Sequence, residues 1–169
     1  MELKGDLNKK AVFEQIENKI TDKQFTVVDK DDQRPWGGFF VIEEIEADKF
    51  IDTFFPAHSI REFSGFTKLS PKILLVEPGK RLSWQYHHRR AELWRVIGGS
   101  AGVIISDTDE QGNVRTLKKG DEVKLKQGER HRLVGLDEWG VVAEIWKHTD
   151  PKKPSDEDDI VRVEDDFGR

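Results

Sequence analysis

No cysteine occurs among the 169 residues. Its absence rules out a disulfide framework and a thiolate metal site, so any metal must be held by histidine, carboxylate or amide oxygen. No segment approaches the roughly 18 apolar residues of a membrane span, and the N-terminus has no apolar signal-like core. A soluble, cytoplasmic protein with no membrane partner is expected. Apolar residues are sparse at 36%, equal to the charged fraction. One modest core under a heavily solvated surface fits these figures, and the length suits one domain. Internal repeats and low-complexity tracts are also missing. The net charge of -5 argues against general nucleic-acid binding. Basic residues do gather in two places, at Arg89, Arg90 and Arg95 and on either side of His131 at Arg130 and Arg132. They read either as solvated rims or as the walls of a pocket for a small anion.

Ten Phe and five Trp supply bulky core material. In residues 7–20, Leu7, Val12, Phe13, Ile16 and Ile20 fall at helical spacing, with Asp6 as N-cap. This predicts an amphipathic helix packed on the barrel or on a partner subunit. FTVVD and FFVIEEIE read as strands around polar DKDDQ and the RPWGG turn, and ADKFIDTFF as a short helix ended by Pro56. After Pro71 the chain reads as all-β. Short strands from KILLVEPGK to WGVVAEIWK are separated by Gly, Asp and Pro turns at the spacing of a sandwich or closed barrel. The tail is polar, with IVRV as a possible last strand. The division expected is a helical arm at 1–24 and a barrel at 25–169.

The chemistry concentrates in residues 78–99, PGKRLSWQYHHRRAELWRVIGG. Strand alternation puts Ser83, Gln85 and His87 on one face and His88 on the other. A turn around Arg89 and Arg90 returns Glu92 beside them. His131 opens a later strand that a barrel can bring alongside. Singly, each residue has an ordinary reading: a hydrogen-bonded histidine, an exposed amide, a hairpin-edge charge. Together they offer amide oxygen, imidazole and carboxylate, a set suited to Zn²⁺, Mn²⁺, Fe²⁺, Co²⁺ or Ni²⁺.

The first segment resembles the first cupin motif through Gly79, Gln85 in the first histidine place, His87, Glu92 and Gly99. The second motif is matched by Gly120, Gly128 and His131, with Lys126 in the proline place. More narrowly, RPWG at 34–37, PGKRLSWQYHHRRAELW at 78–94, GERHRL at 128–133 and EDDIVRVEDDFGR at 157–169 resemble the type II mannose-6-phosphate isomerase domain. That domain often forms the C-terminal part of a bifunctional protein with mannose-1-phosphate guanylyltransferase. The resemblance covers about 34–169, apart from a longer segment near 46–71. Departures are Trp84, Arg89, Leu93, Lys126 and Phe167.

The resemblance implies an all-β fold, the cupin double-stranded β-helix or jelly-roll barrel, with an N-terminal helix and a short helical insertion. It implies one divalent ion, zinc foremost, on Gln85, His87, Glu92 and His131. The implied reaction is isomerisation of mannose 6-phosphate to fructose 6-phosphate through a cis-enediol. Arg90 and Glu144 are the catalytic candidates, and Arg132, Arg162 and Arg169 the phosphate ligands. Trp36 and Trp94 are expected to pack the core. Residues 1–33 hold no Gly-rich nucleotide loop, so guanylyl transfer is not expected. The alternatives are a non-catalytic metal- or sugar-binding cupin, an isomerase of another phosphosugar, with the 46–71 segment reshaping the pocket, and a metal-dependent oxygenase. A homodimer is the expected assembly, with helix 7–20 as one available interface.

Overall fold

Val12, Phe13, Ile16 and Ile20 recur every three to four residues, and their buried stripe forms helix α1 (Lys9–Asp22). The computed structural model describes residues 1–5 and 7–169. The cap expected at Asp6 lies outside the described residues. The Asn8 side chain caps the helix instead, accepting the Ala11 N–H at 2.9 Å. The apolar face of α1 is buried on its own barrel, so the chain itself covers the surface suggested for a partner.

Two antiparallel sheets follow. The first has six strands in the order β1 (Val27–Asp31), β2 (Gly37–Ile42), β3 (Lys72–Val76), β10 (Gly140–His148), β5 (Arg90–Gly98) and β8 (Glu122–Leu125). The second has five: β11 (Val161–Glu164), β4 (Trp84–Tyr86), β9 (Arg130–Gly135), β6 (Ser100–Ser106) and β7 (Arg115–Lys118). This is the expected jelly-roll of the cupin fold, and a last strand forms at Val161–Glu164, one residue on from the expected IVRV. Gly99 makes the tight β5–β6 turn at φ 59°, where a Cβ would lie 2.0 Å from the Trp139 carbonyl oxygen.

Alternation sorts the first sheet into two cores. Ile73, Leu75, Leu93, Ile97 and Ile145 face outward against α1 and helix α2 (Ala47–Phe54). Leu74, Val76, Trp94, Val96 and Val142 face inward and fill one end of the barrel with Leu133 and Val103. The other end is polar and carries the site.

FFVIEEIE is only half a strand. Its EIE portion is a single 3-10 turn at Glu44–Glu46. The acids turn back to cap backbone: Glu44 accepts from the Leu69 and Ser70 N–H groups, and Glu46 from Thr26. The 46–71 segment packs Phe50, Phe54, Phe55 and Phe63 onto the outer face. It does not reshape the barrel interior. Only its end, Lys68 and Ser70, reaches a cleft beside the site.

His58 clasps this insertion to β8, its ring nitrogens each 2.8 Å from Glu62 and Glu122. Burial pulls the imidazole down, but the two carboxylate hydrogen bonds outweigh it and its pKa lies above the ordinary 6.5. A raised folded pKa gives stability that is complete below the unfolded value and lost as pH climbs through the folded one. His58→Gln should therefore lower the melting temperature most near about pH 6 and least near about pH 9, for a cost of at most about 1 kcal/mol. A pH-independent difference in a thermal-shift series would remove the imidazolium from this account.

Candidate metal centre

Gln85 lies on β4, and His87 lies one residue past its end on the same face. Gln85 pairs directly with His131 of β9. Glu92 enters from β5 in the opposing sheet. Gly128 (φ 77°) turns the chain into β9, and its N–H donates to the His87 carbonyl at 3.0 Å, tying the two ligand-bearing segments together. His87, Glu92 and His131 are each 2% exposed. One ligand atom from each lies within 4.8 Å of the others. The Glu92 oxygens stand 3.2 Å from His87 Nε2 and 3.5 Å from His131 Nε2.

The hydrogen bonds behind the imidazoles set their tautomers. His87 Nδ1–H donates to the Asp159 carbonyl at 2.6 Å and His131 Nδ1–H to the Glu129 carbonyl at 2.9 Å. Both Nε2 lone pairs then point inward. Burial pushes both imidazoles down, His87 to about 3, so they stay neutral. Burial would push the Glu92 carboxyl up, but the Arg90 guanidinium, which also donates to it, outweighs burial and holds it low. Glu92 Oε2 and His131 Nε2 are buried with no hydrogen-bond partner. Orphaned acceptors cost about 1–3 kcal/mol each. Two neutral imidazoles, one carboxylate and two unanswered acceptors fit a divalent cation.

Gln85 is the fourth member. Its Oε1 accepts from Ser83 Oγ at 2.6 Å and its Nε2 lies 3.3 Å from His87 Nε2. A half-turn of the amide would present oxygen to the ion, with Ser83 switching from donor to acceptor. Arg90 is buried in the same cluster. Its Nε donates to Glu92 Oε1 at 2.7 Å and its Nη2 to His87 Nε2 at 3.1 Å, while its guanidinium lies 3.6 Å from the Trp146 ring centre.

Through Gln85, Arg90 and Glu92 the cluster borders a cavity of about 330 Å³, whose lining also includes Trp94, Glu144 and Trp146. That volume falls in the ~300–1,000 Å³ range of small-molecule sites. Glu144 is buried on β10, held by the indole N–H groups of Trp94 at 2.8 Å and Trp146 at 2.7 Å. Burial, with the Glu92 charge added, pushes its carboxyl up to about 8 against the pull of Lys72 and Arg90. Trp94 and Trp36 are core residues as expected, yet both also line this cavity.

Of the three phosphate candidates, Arg162 and Arg169 line the cavity and Arg132 does not. Arg132 is 0% exposed and donates to the Leu82 and Glu164 carbonyls and to Gln111. It fastens β11 to the second sheet. Two further cations on the wall were not singled out from the sequence, Arg34 and Lys72.

Residues 21–165 match the family described as mannose-6-phosphate isomerase C-terminal. This chain belongs to that family. A mannose-1-phosphate guanylyltransferase from Salmonella montevideo is 26% identical over 160 residues, 95% of this chain and 27% of that protein. The guanylyltransferase ManC of Salmonella typhimurium is 35% identical over 98 residues, 58% of this chain and 19% of the relative. The chain thus spans only about a fifth to a quarter of the length of these relatives. Among solved structures, the capsular polysaccharide assembling protein CapF of Staphylococcus aureus superposes over 83% of this chain and 34% of its own, with TM-score 0.53 and 14% identity. That likeness concerns the fold alone.

The departures from the isomerase family pattern fall away from the ligands. Leu93, in the usual histidine place, is 1% exposed in the outward core beneath the helices. Arg89 faces the tail acids Asp156 and Asp159. Lys126, in the proline place, uses the N–H that proline lacks to donate to Glu129 at 3.1 Å.

Within the EDDI stretch of the tail, Asp159 has a role the sequence reading did not assign. Its carboxylate accepts from the His88 and Arg89 N–H groups at 3.0 Å each and from Ser155 Oγ at 2.6 Å. Its carbonyl is the group that orients His87. Asp159→Ala should loosen a divalent ion held at this cluster about 10–100-fold, the usual cost of losing a partner behind a metal ligand. Competition with a chromogenic chelator measures it, and unchanged affinity would show that the backbone carbonyl suffices alone.

Proposed function

We propose that this domain isomerises a phosphosugar between aldose and ketose forms, with mannose 6-phosphate and fructose 6-phosphate as the pair. The observation that carries the proposal is a buried His-Glu-His cluster with two unanswered acceptors, whose Glu92 lines a cavity together with Gln85, Glu144 and several cations. Gln85, His87, Glu92 and His131 would hold the ion. Zinc suits the set, as do manganese, iron, cobalt and nickel. When bound, it supplies a Lewis acid for neighbouring carbonyl and hydroxyl oxygens.

The chain's own residues supply the rest. Glu144, its carboxyl pushed up to about 8, takes the proton from C2 of the aldose as the carboxylate and returns it to C1, through a cis-enediol. The indoles of Trp94 and Trp146 fix its carboxyl plane. Arg90 offers a planar cation to the oxygen that gains charge. Arg162 and Arg169 meet the phosphate at the exposed mouth.

One observation favours a binding protein instead. Both Glu144 oxygens already accept indole hydrogens, so the carboxylate must leave one of them to reach substrate. The test is a coupled assay for fructose 6-phosphate on metal-stripped protein resupplied with each ion, run beside uptake of solvent deuterium into the product. Metal-dependent turnover with deuterium at C1 supports the isomerase. No turnover and no exchange, from protein that still binds metal and sugar phosphate, would leave the binding reading.

A further inference from the structure

Lys72 is an anomaly among the barrel's cations. It opens β3, whose five residues are all buried, and its side chain is only 6% exposed. Alternation puts it on the inward face with Leu74 and Val76, directly across from Glu144 on β10. Its ammonium lies 3.9 Å from the Trp146 ring centre and 4.8 Å from that of Phe39. It lines both the metal-bearing cavity and the adjoining cleft of about 540 Å³.

Its ion-pair partner is Glu157, which belongs to the tail and not to the barrel. The Glu157 side chain is 56% exposed, so releasing it to water costs little. Three of the other cavity cations are committed more firmly. Arg90 is held by Glu92 and His87, Arg34 by Asp31 at 2.7 Å, and Arg169 by both oxygens of Asp165 at 2.9 Å. Lys72 is thus a desolvated point charge with three rotatable donors, and the carboxylate in direct contact with it, Glu157, is easily exchanged. A phosphate monoester carries more charge and more acceptor oxygens than a carboxylate, and aromatic walls strengthen its attraction to the ammonium.

We propose that Lys72 is the inner phosphate-binding cation of the cavity, and that Glu157 is a built-in competitor which the substrate's phosphate displaces. The inference rests on the phosphosugar reading and adds to it a specific ligand and a cost of entry. Arg162 and Arg169 then meet the phosphate on its way in, and Lys72 receives it.

The test is calorimetric titration of the zinc-loaded full chain with mannose 6-phosphate and with mannose. Both sugars can engage the ion, so their difference reads the phosphate. Lys72→Met keeps the apolar stem over Trp146 and Phe39. It should weaken mannose 6-phosphate about tenfold or more and leave mannose unchanged. Glu157→Gln should tighten mannose 6-phosphate severalfold. Parent affinity in Lys72→Met overturns the assignment, while a parent that still prefers the phosphorylated sugar keeps the phosphosugar reading. Equal binding of both sugars by the parent sinks both. Should Lys72→Met fail to fold, Glu157→Gln decides, and unchanged or weaker binding there overturns the competition.

Discussion

Protein carrying His131→Ala is expected to hold zinc on the order of a hundredfold more weakly than the parent, and the proposed isomerase turnover should fall with it. The argument is geometric. His131 Nε2 is buried, neutral and unpartnered, and the opposing Glu92 oxygen is equally unanswered. Removing the imidazole deletes a ligand and leaves the carboxylate without its nearest neighbour on that side. A four-ligand zinc site is worth ~10–16 kcal/mol, so one ligand accounts for about 3 kcal/mol, on the order of a hundredfold in affinity. Elemental analysis after dialysis, with His58→Ala as a histidine control outside the cluster, reads the effect. Parent-like metal content in His131→Ala after dialysis against a competing chelator would place the ion elsewhere.

Glu144→Gln should lower kcat by about 10²–10⁴ while metal content stays at the parent level. The parent's pH profile carries the same information. Glu144 is protonated below its raised pKa and can accept a proton only as the carboxylate. Activity should therefore rise with pH and level off near the value of about 8 to which burial and Glu92 push the group. A cation held by Glu92 draws that midpoint downward toward the ordinary 4.5 without reversing the slope. The glutamine variant should show a flat acid limb. If it retained both the parent's kcat and the parent's limb, the proton shuttle would have to be another group.

Much of the site was legible because strand alternation is a strict rule. Gln85 and His87 share a face for that reason, and Glu92 returns beside them on the next strand. The same rule also warned against Arg132, which follows an inward His131 and so must face outward. Motif resemblance hid that warning. Lys72 escaped notice because a charged residue opening an apolar strand reads as a solvated end. Only the pairing of β3 with β10 sets it opposite Glu144. The protonation of Glu144 was illegible in principle, since it depends on Glu92 in another strand and on burial by the whole barrel. The insertion was half legible: its phenylalanine spacing announced a helix but not the face it would cover. In FFVIEEIE the error was energetic, because acids that cap distant backbone N–H groups cannot be told in sequence from acids on a strand.

The tail bears on the order in which the protein can be made. His87 is oriented by a residue that follows it by 72 positions. Lys72 waits for Glu157, and Arg90 for Ser155 and Asp156. A chain leaving the ribosome can pair its early strands while these late partners are still inside the exit tunnel. Until they emerge, the imidazole has no fixed tautomer and the buried lysine no counter-charge. The cluster accordingly reaches its final geometry only once residues 155–159 have docked on the barrel, so these residues act as the last fastening of the site.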